Sequence, residues 1–227
     1  MSRSICRVSA LRLSGRLRMI VPEGSVLETR PGELLLRTTT SALPDFADRV
    51  TVGLSGRLLS LFASDERDTN GRFLLHHLWF LPNLRSFLQI VAPVLPSEPS
   101  YPSIAAKYPV ANWFEREVMD FFGLIPNGHP NPTRVALHDD WPEGAWALRK
   151  DFPYDAGVPR AAGDFHPFRP VTGEGVFQVP VGPVHAGIIE PGHFRFGVTG
   201  EPVLYLQLRL FYVHKGTEKR FERLPWR

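Results

Sequence analysis

Apolar and polar residues alternate along residues 11–19, where Leu11, Leu13, Leu17 and Met19 interleave with Arg12, Ser14, Arg16 and Arg18. A period of two is the pattern of a half-buried strand, not of an amphipathic helix. Residues 32–40 (GELLLRTTT) read as a second strand, and 44–54 as a helix with Pro44 in its first turn. The strongest signal follows. RLLSLFAS (57–64) and RFLLHHLWFL (72–81) are strand-like runs on either side of DERDTNG, whose Asn70-Gly71 pair predicts a hairpin turn. LRSFLQIVAP (84–93) is the third consecutive strand. In the middle run, His76 and His77 point to opposite faces of the sheet, so they cannot readily share a metal and read as satisfied or surface histidines.

After an extended connector (96–103), residues 109–122 predict a helix that stops at Gly123, a natural helix-ending residue. Phe114, Val118, Phe121 and Phe122 fall on one face, and Glu115, Arg116, Glu117 and Asp120 occupy the rest. Glu115 and Glu117, two residues apart, point roughly 160° from each other, which makes them poor partners for acid–base catalysis and better suited to pairing with Arg116 or other arginines. Residues 156–175 read as a Gly/Pro/Ala-rich linker. VFQVPVG (176–182), HFRFGVTG (193–200) and PVLYLQLRLFYVH (202–214) then predict a small sheet, with Gly200 in a turn. A basic helix begins in 215–227, with too little apolar content to stand alone; it is expected to be truncated or completed by another chain. Strands bracketed by helices give an α+β fold with helices on one sheet face.

Composition narrows the chemistry. Proline is frequent, 22 of 227 residues, with 18 of them between Pro82 and Pro202, so this zone is mostly loop and turn. A net charge of +3 is too small to indicate nucleic acid. The single cysteine, Cys6, allows no internal disulfide and cannot by itself supply the thiolates of an iron–sulfur cluster or a Cys-rich zinc site. No apolar run approaches the length of a membrane span. No GxGxxG fingerprint supports nucleotide binding, and no HExxH spacing supports a metal-dependent hydrolase built on His129, His138, His185 or His193.

The stretch 113–153 resembles the C-type, 30 kDa subunit of NADH–quinone oxidoreductase, respiratory complex I. The resemblance rests on Glu115-Arg116-Glu117, Asp120, Gly123, His129-Pro130, Arg134, Trp141 and the run Leu148-Arg149-Lys150-Asp151-Phe152-Pro153, and the upstream hairpin LFASDERDTNGRFLLHHLWF agrees with it. GPVHAGIIEPGHFRF (182–196) and RLFYVHKGTEK (209–219) are similar to the start of the D-type, quinone-site subunit of the same complex, itself related to nickel–iron hydrogenase large subunits. A C-like part followed by a D-like part resembles the fused large subunit of group-4, formate-hydrogenlyase and hydrogenase-4 type enzymes. This implies a two-layer C-like domain over 1–155 with a mixed sheet, a linker over 156–175 and a partial, β-rich D-like segment over 176–227.

The resemblance also implies roles. Glu115, Arg116, Glu117, Asp120, His129, Arg134, Trp141, Arg149, Lys150 and Asp151 would be structural or partner-docking residues. His185 matches the first histidine of the GPQHPxxHG quinone loop, whereas Glu190-Pro191 stand where the second would be, in a longer loop. In the hydrogenase branch a glutamate there relays protons, a role that carries over to Glu190. The two CxxC motifs that ligate nickel and iron in that branch are absent, so this chain by itself is expected neither to evolve nor to oxidise hydrogen. Cofactors, namely iron–sulfur clusters and a nickel–iron site or quinone, are expected in partners. Those partners would be a D-like or hydrogenase large subunit, the iron–sulfur subunits and, indirectly, the membrane arm, at the cytoplasmic face of the membrane. An ordinary C-type subunit of complex I and a non-redox adaptor of an ion-transporting complex are the alternatives.

Overall fold

The computed structural model describes Val21, the backbone of Val26–Arg30, residues 33–159 and residues 170–222. The strand expected at 11–19 and most of the linker expected at 156–175 lie outside the described residues. The chain divides into two compact units, Met1–Pro132 and Thr133–Arg227.

In the first unit, β1 (Val26–Arg30) and β2 (Glu33–Arg37) pair antiparallel. Helix α1 (Leu43–Leu54) follows with a proline in its first turn, and buries Leu43, Phe46, Ala47, Val50 and Leu54. Next come β3 (Arg57–Glu66), β4 (Arg72–Leu81) and β5 (Ser86–Val94). The sheet order is β1-β2-β5-β4-β3, and the β2/β5 pairing is parallel while the others are antiparallel, so the sheet is mixed. The period-two pattern of 72–81 is realised in full. Phe73, Leu75, His77, Trp79 and Leu81 are buried, and Leu74, His76, Leu78 and Phe80 are half-buried on the other face. Short β6 (Ser100–Pro102) pairs in parallel with β7 (Ile125–Asn127), and the two bracket helix α2 (Ala111–Phe122). Phe122 of α2 meets Phe73 of β4 edge-on at 6.5 Å between ring centroids, which seats the helix on the buried face. Trp79 meets Tyr108 on the same face, 6.3 Å away, and Asp48 of α1 accepts hydrogen bonds from Tyr108 and Lys107. The fold is therefore α+β, two layers, with both helices on one face of a mixed sheet, as the pattern implied.

Three local expectations change. The 57–81 hairpin is not closed by a two-residue Asn-Gly turn. The strand continues through Asp65-Glu66, and the connection is one helical turn, Arg67–Asn70, ended by Gly71 at φ 74°. Buried Asp65 sets this up by accepting from the Arg67 backbone N–H at 3.1 Å and from its guanidinium. The third strand begins at Ser86, not Leu84, because Pro82–Leu84 form a 3-10 turn and Arg85 adopts φ 46°. Finally, β6 and β7 are pairings between segments too short for any periodicity to reveal.

In the second unit, residues 133–159 contain turns but no helix or strand. β8 (Val176–Val181), β9 (His193–Thr199) and β10 (Val203–Arg209) form an antiparallel sheet in the order β10-β9-β8. The third of these ends at Arg209, short of the expected 214. A short helix α3 (Thr217–Phe221) follows.

Candidate functional site

Glu115 decides how the signature segment is built. The buried stripe of α2 runs Ala111, Glu115, Val118, Phe122, at the i, i+4, i+7, i+11 spacing of one helix face. The acid thus sits in the middle of the apolar stripe, and Phe114, expected there, is only half-buried. Asp120 is buried as well. An uncompensated carboxylate would be expelled from such a place. Glu115 stays because donors surround it. The Ser103 hydroxyl donates to Oε2, the Ile104 backbone N–H donates to Oε1 at 2.8 Å, and the Ala105 backbone contributes. Its partners are a hydroxyl and backbone amides, where pairing with an arginine was expected. Burial still outweighs these donors and raises its pKa above the ordinary carboxylate value.

His129 completes the knot. Its Nε2 lies 3.9 Å from Glu115 Oε2, both side chains being fully buried. Nε2 donates to the Asn112 carbonyl at 3.1 Å, and Nδ1 accepts the Asn131 backbone N–H at 3.0 Å. An Nδ1 that accepts a backbone N–H carries no proton, so the ring is the neutral Nε2–H tautomer. Burial lowers its pKa, and the Arg116 charge adds to that. Glu115 and His129 are therefore a packed polar contact, not an ion pair. Together they fix the chain before α2, through Ser103 and Ile104, and the chain after it, through Asn131. The β6/β7 pairing and the Ser103 N–H to Asn127 carbonyl bond at 2.8 Å fasten the same two segments. Arg116 reaches the Asn112 side chain at 3.5 Å, at the limit of a hydrogen bond, and Glu117 is half-buried.

The remaining signature residues lie in the second unit, where they organise the irregular loop. Arg134 donates to the carbonyls of His138, at 3.2 Å, and Trp141. The Trp141 indole N–H donates to the Ala145 carbonyl at 2.6 Å, and its ring packs near Phe152. The Arg149 guanidinium lies 3.6 Å from the Trp146 ring centroid, a cation–π contact. The loop is clamped to the tail at four points. His138 Nε2 bonds the Leu210 carbonyl at 3.1 Å, Asp139 pairs with Arg209, the Arg149 carbonyl accepts from buried Lys219 at 2.8 Å, and Lys150 pairs with Glu222 at 3.1 Å. Asp151 is exposed. Ser103, Asn112, Asp139 and Lys219 were not singled out by sequence. Lys219 stood inside the quoted HKGTEK run, but nothing in its composition announced a buried lysine.

His185 and Glu190 share the β8–β9 loop. His185 is half-buried, with its ring against Gly182 and Gly187, and Glu190 is exposed. The two adjacent histidines of β4 part company. His76 is bonded through Nε2 to Ser64 and through Nδ1 to Gln89, both at 3.0 Å, under a stacked Phe62. His77 is 1% exposed, and neither ring nitrogen has a hydrogen-bond partner, so it is not the satisfied histidine that was expected. Burial pushes its pKa down to about 3.

No group of three His, Cys, Asp or Glu side chains with a metal-binding arrangement occurs among the described residues, so they do not furnish a donor set for nickel, iron or zinc. None of their helices is long and apolar enough to cross a membrane. What the arrangement does provide is rigidity, in a sealed carboxylate knot and a clamped loop.

The family described as respiratory-chain NADH dehydrogenase, 30 Kd subunit, matches residues 37–158, more than half of the chain and across both units. The chain is 35% identical over 194 residues to formate hydrogenlyase subunit 5 of Escherichia coli (strain K12), covering 84% of this chain and 34% of that protein. Hydrogenase-4 component G of the same strain is 35% identical over 205 residues, 88% of this chain and 37% of that one. The C-type subunit of NADH-quinone oxidoreductase from Mycolicibacterium smegmatis (strain ATCC 700084 / mc(2)155) is 47% identical over 77 residues, 34% of this chain and 30% of that one. The chain thus spans about a third of the length of the curated relatives it matches. Among solved structures, a chain of the membrane-bound sulfane sulfur reductase, an archaeal respiratory membrane complex, superposes with a TM-score of 0.54 at 22% identity, over 60% of this chain and 83% of that one, which supports the fold. The resemblance read from 113–153 therefore holds, and the chain belongs to the respiratory-chain NADH dehydrogenase 30 Kd subunit family.

Proposed function

We propose that this chain is a non-cofactor building block of the peripheral arm of a membrane oxidoreductase of the group-4 hydrogenase or complex I type. The observation that carries the reading is the reach of the matches. The two hydrogenase-type relatives extend over 84% and 88% of this chain, whereas the C-type relative from complex I covers 34%. A C-like part joined to a D-like beginning accounts for that reach. The buried knot and the clamped loop suit a scaffold, since their polar groups are spent on holding backbone segments and none is poised as a nucleophile.

In this reading the partners are a hydrogenase-large-subunit-like or D-like polypeptide and iron–sulfur subunits, which carry the redox groups, and the assembly sits against the cytoplasmic face of the membrane. Electron transfer would be coupled there to ion translocation. Glu190 is the residue to which a proton-relay role carries over, and it would acquire a buried environment only beneath a partner. The test is purification of the native assembly through a tag on this chain, followed by mass spectrometry. A copurifying polypeptide with paired CxxC motifs supports the reading, and purification as a lone stable monomer overturns it.

The second reading, an ordinary C-type subunit of complex I, is favoured by one observation, the higher 47% identity over its shorter match. Copurifying nucleotide- and flavin-binding subunits without a CxxC-paired polypeptide would decide for it.

A further inference from the structure

Two asparagines of the chain precede a glycine, in Asn70-Gly71 and Asn127-Gly128. Such a pair carries chemistry of its own. Glycine has no side chain to shield its backbone nitrogen, and that nitrogen can reach the side-chain carbon Cγ of the asparagine before it. By sequence the two pairs are alike, and all four residues are exposed. The fold makes them different.

At the first pair both reacting groups are held. Asn70 Oδ1 accepts the Arg72 backbone N–H at 3.1 Å, and the Gly71 N–H donates to the Arg67 carbonyl at 3.0 Å. Ring closure there requires both bonds to break and the helical turn Arg67–Asn70 to open. At the second pair neither group is held. Among the described residues, the Asn127 side-chain amide has no hydrogen-bond partner, and the Gly128 N–H has none either. Gly128 adopts φ 82° within a turn closed by the His129 N–H on the Pro126 carbonyl at 3.2 Å. No atom lies within 4 Å of the place where a side chain would begin, so the nitrogen is open to water and to base. One restraint remains. The Asn127 carbonyl accepts the Ser103 N–H at 2.8 Å, and this peptide plane must turn before the ring can close.

We propose that Asn127 is a site of spontaneous covalent modification, at which the Gly128 nitrogen closes on the asparagine side chain and water opens the ring to aspartate and isoaspartate. Water and hydroxide are the only co-reactants. Base takes the Gly128 amide proton, and the nitrogen bonds to Asn127 Cγ. The side-chain nitrogen takes up a proton and leaves as ammonia, which completes a five-membered succinimide. Water then adds to one of the two ring carbonyls. Cleavage from Cγ gives aspartate on an unchanged backbone. Cleavage from the backbone carbonyl gives isoaspartate, with the chain rerouted through the former side chain. Either product adds a negative charge, and isoaspartate also lengthens the main chain by one carbon. The change falls two residues before buried His129 and on the carbonyl that holds Ser103, so it loosens the knot around Glu115.

The test is peptide mapping by mass spectrometry of the purified full chain, kept folded in mildly alkaline buffer. Asn127 should convert about tenfold faster than Asn70, the factor expected from the two hydrogen bonds that must first break at Asn70. In urea the two should convert at the same rate, because the difference belongs to the fold. Equal rates in the folded chain, or a faster Asn70, overturn the proposal. So does an intact Asn127 after a time in which the unfolded chain has reacted. A second measurement follows the consequence. In the modified fraction, amides of residues 103 and 129–131 should exchange about tenfold faster than in fresh protein. Asn127→Gln, whose longer side chain does not form the five-membered ring, should show no such acceleration after the same incubation. Acceleration that persists in Asn127→Gln overturns the assignment to this residue.

Discussion

The two sheets of this protein are built from similar residues and finished differently. In the first unit, β3, β4 and β5 place Leu61, Phe73, Leu75, Trp79 and Ile90 beneath helices, almost wholly out of water. In the second, Phe177 is 53% and Leu206 44% exposed. Apolar alternation is present in both, so the alternation itself does not say whether a face is covered. The first unit carries its own second layer in α1 and α2. The second unit ties its irregular loop to Arg209 at the end of β10 and to Leu210, Lys219 and Glu222 beyond it. One sheet is covered by its own helices, and the other keeps Phe177, Val179, Val181, Leu206 and Leu208 at its surface.

The largest expected effect tests the first core directly. Phe73→Ala should destabilise the first unit by about 4 kcal/mol, read from denaturant unfolding, because the ring is 1% exposed and leaves a cavity beneath Phe122. A cost below about 1 kcal/mol would remove the distinction between the two sheets. Next comes the knot. Glu115→Ala should cost about 3 kcal/mol, since it strands the Ile104 N–H and the Ser103 hydroxyl in a dry site. Hydrogen exchange should accelerate at residues 103–105 and 129–131 together if the carboxylate joins them as described.

The third prediction concerns pH. Folding holds the His77 ring neutral, with its pKa at about 3 against an ordinary 6.5. The stability contributed by that neutral ring is complete above pH 6.5 and is lost as pH falls, by about 1.4 kcal/mol per pH unit between 6.5 and 3. His77→Leu should reduce the acid slope of unfolding by that amount. An unchanged slope would place the acid sensitivity elsewhere, in His76 or His129, whose values burial also lowers. Fourth, Lys219→Met removes the bond to the Arg149 carbonyl, and should speed amide exchange about tenfold around residues 217–221 while leaving the strands of the first unit untouched. The smallest effect is at the open face. Phe177→Ala should change the stability of the isolated chain by less than about 0.5 kcal/mol, far below the cost of its counterpart at Phe73.

Much of the first unit was legible beforehand. Period-two runs gave β3, β4 and β5 to within two residues at most ends, because a sheet buried on one face enforces that pattern on every strand. Gly123 marked the end of α2 correctly, since a left-handed residue is needed there and only glycine takes it without strain. The face of α2 was misread at Glu115. Helical spacing records where residues point, and the assumption that acids point to water supplied the rest. Ser103 and Ile104, twelve and eleven residues away, reversed that assumption by bringing donors to the carboxylate. The histidine pair shows the same limit. Alternation put His76 and His77 on opposite faces, but could not say that one would be hydrogen-bonded and the other left without partners.

By itself the sequence determined the periodic elements, the α+β class, the helix stop at Gly123 and the family signature between Trp113 and Pro153. These depend on local backbone preference and on short-range spacing, which are written in consecutive residues. Only the tertiary structure decided that Glu115 is an internal knot, that the signature loop is tied to the tail through His138, Asp139, Arg149 and Lys150, and that the tail sheet leaves Val179, Val181, Leu206 and Leu208 at the surface while burying Val198. Each of those outcomes depends on donors or layers contributed from distant parts of the chain, and burial energies are fixed by what covers a residue, not by the residue alone.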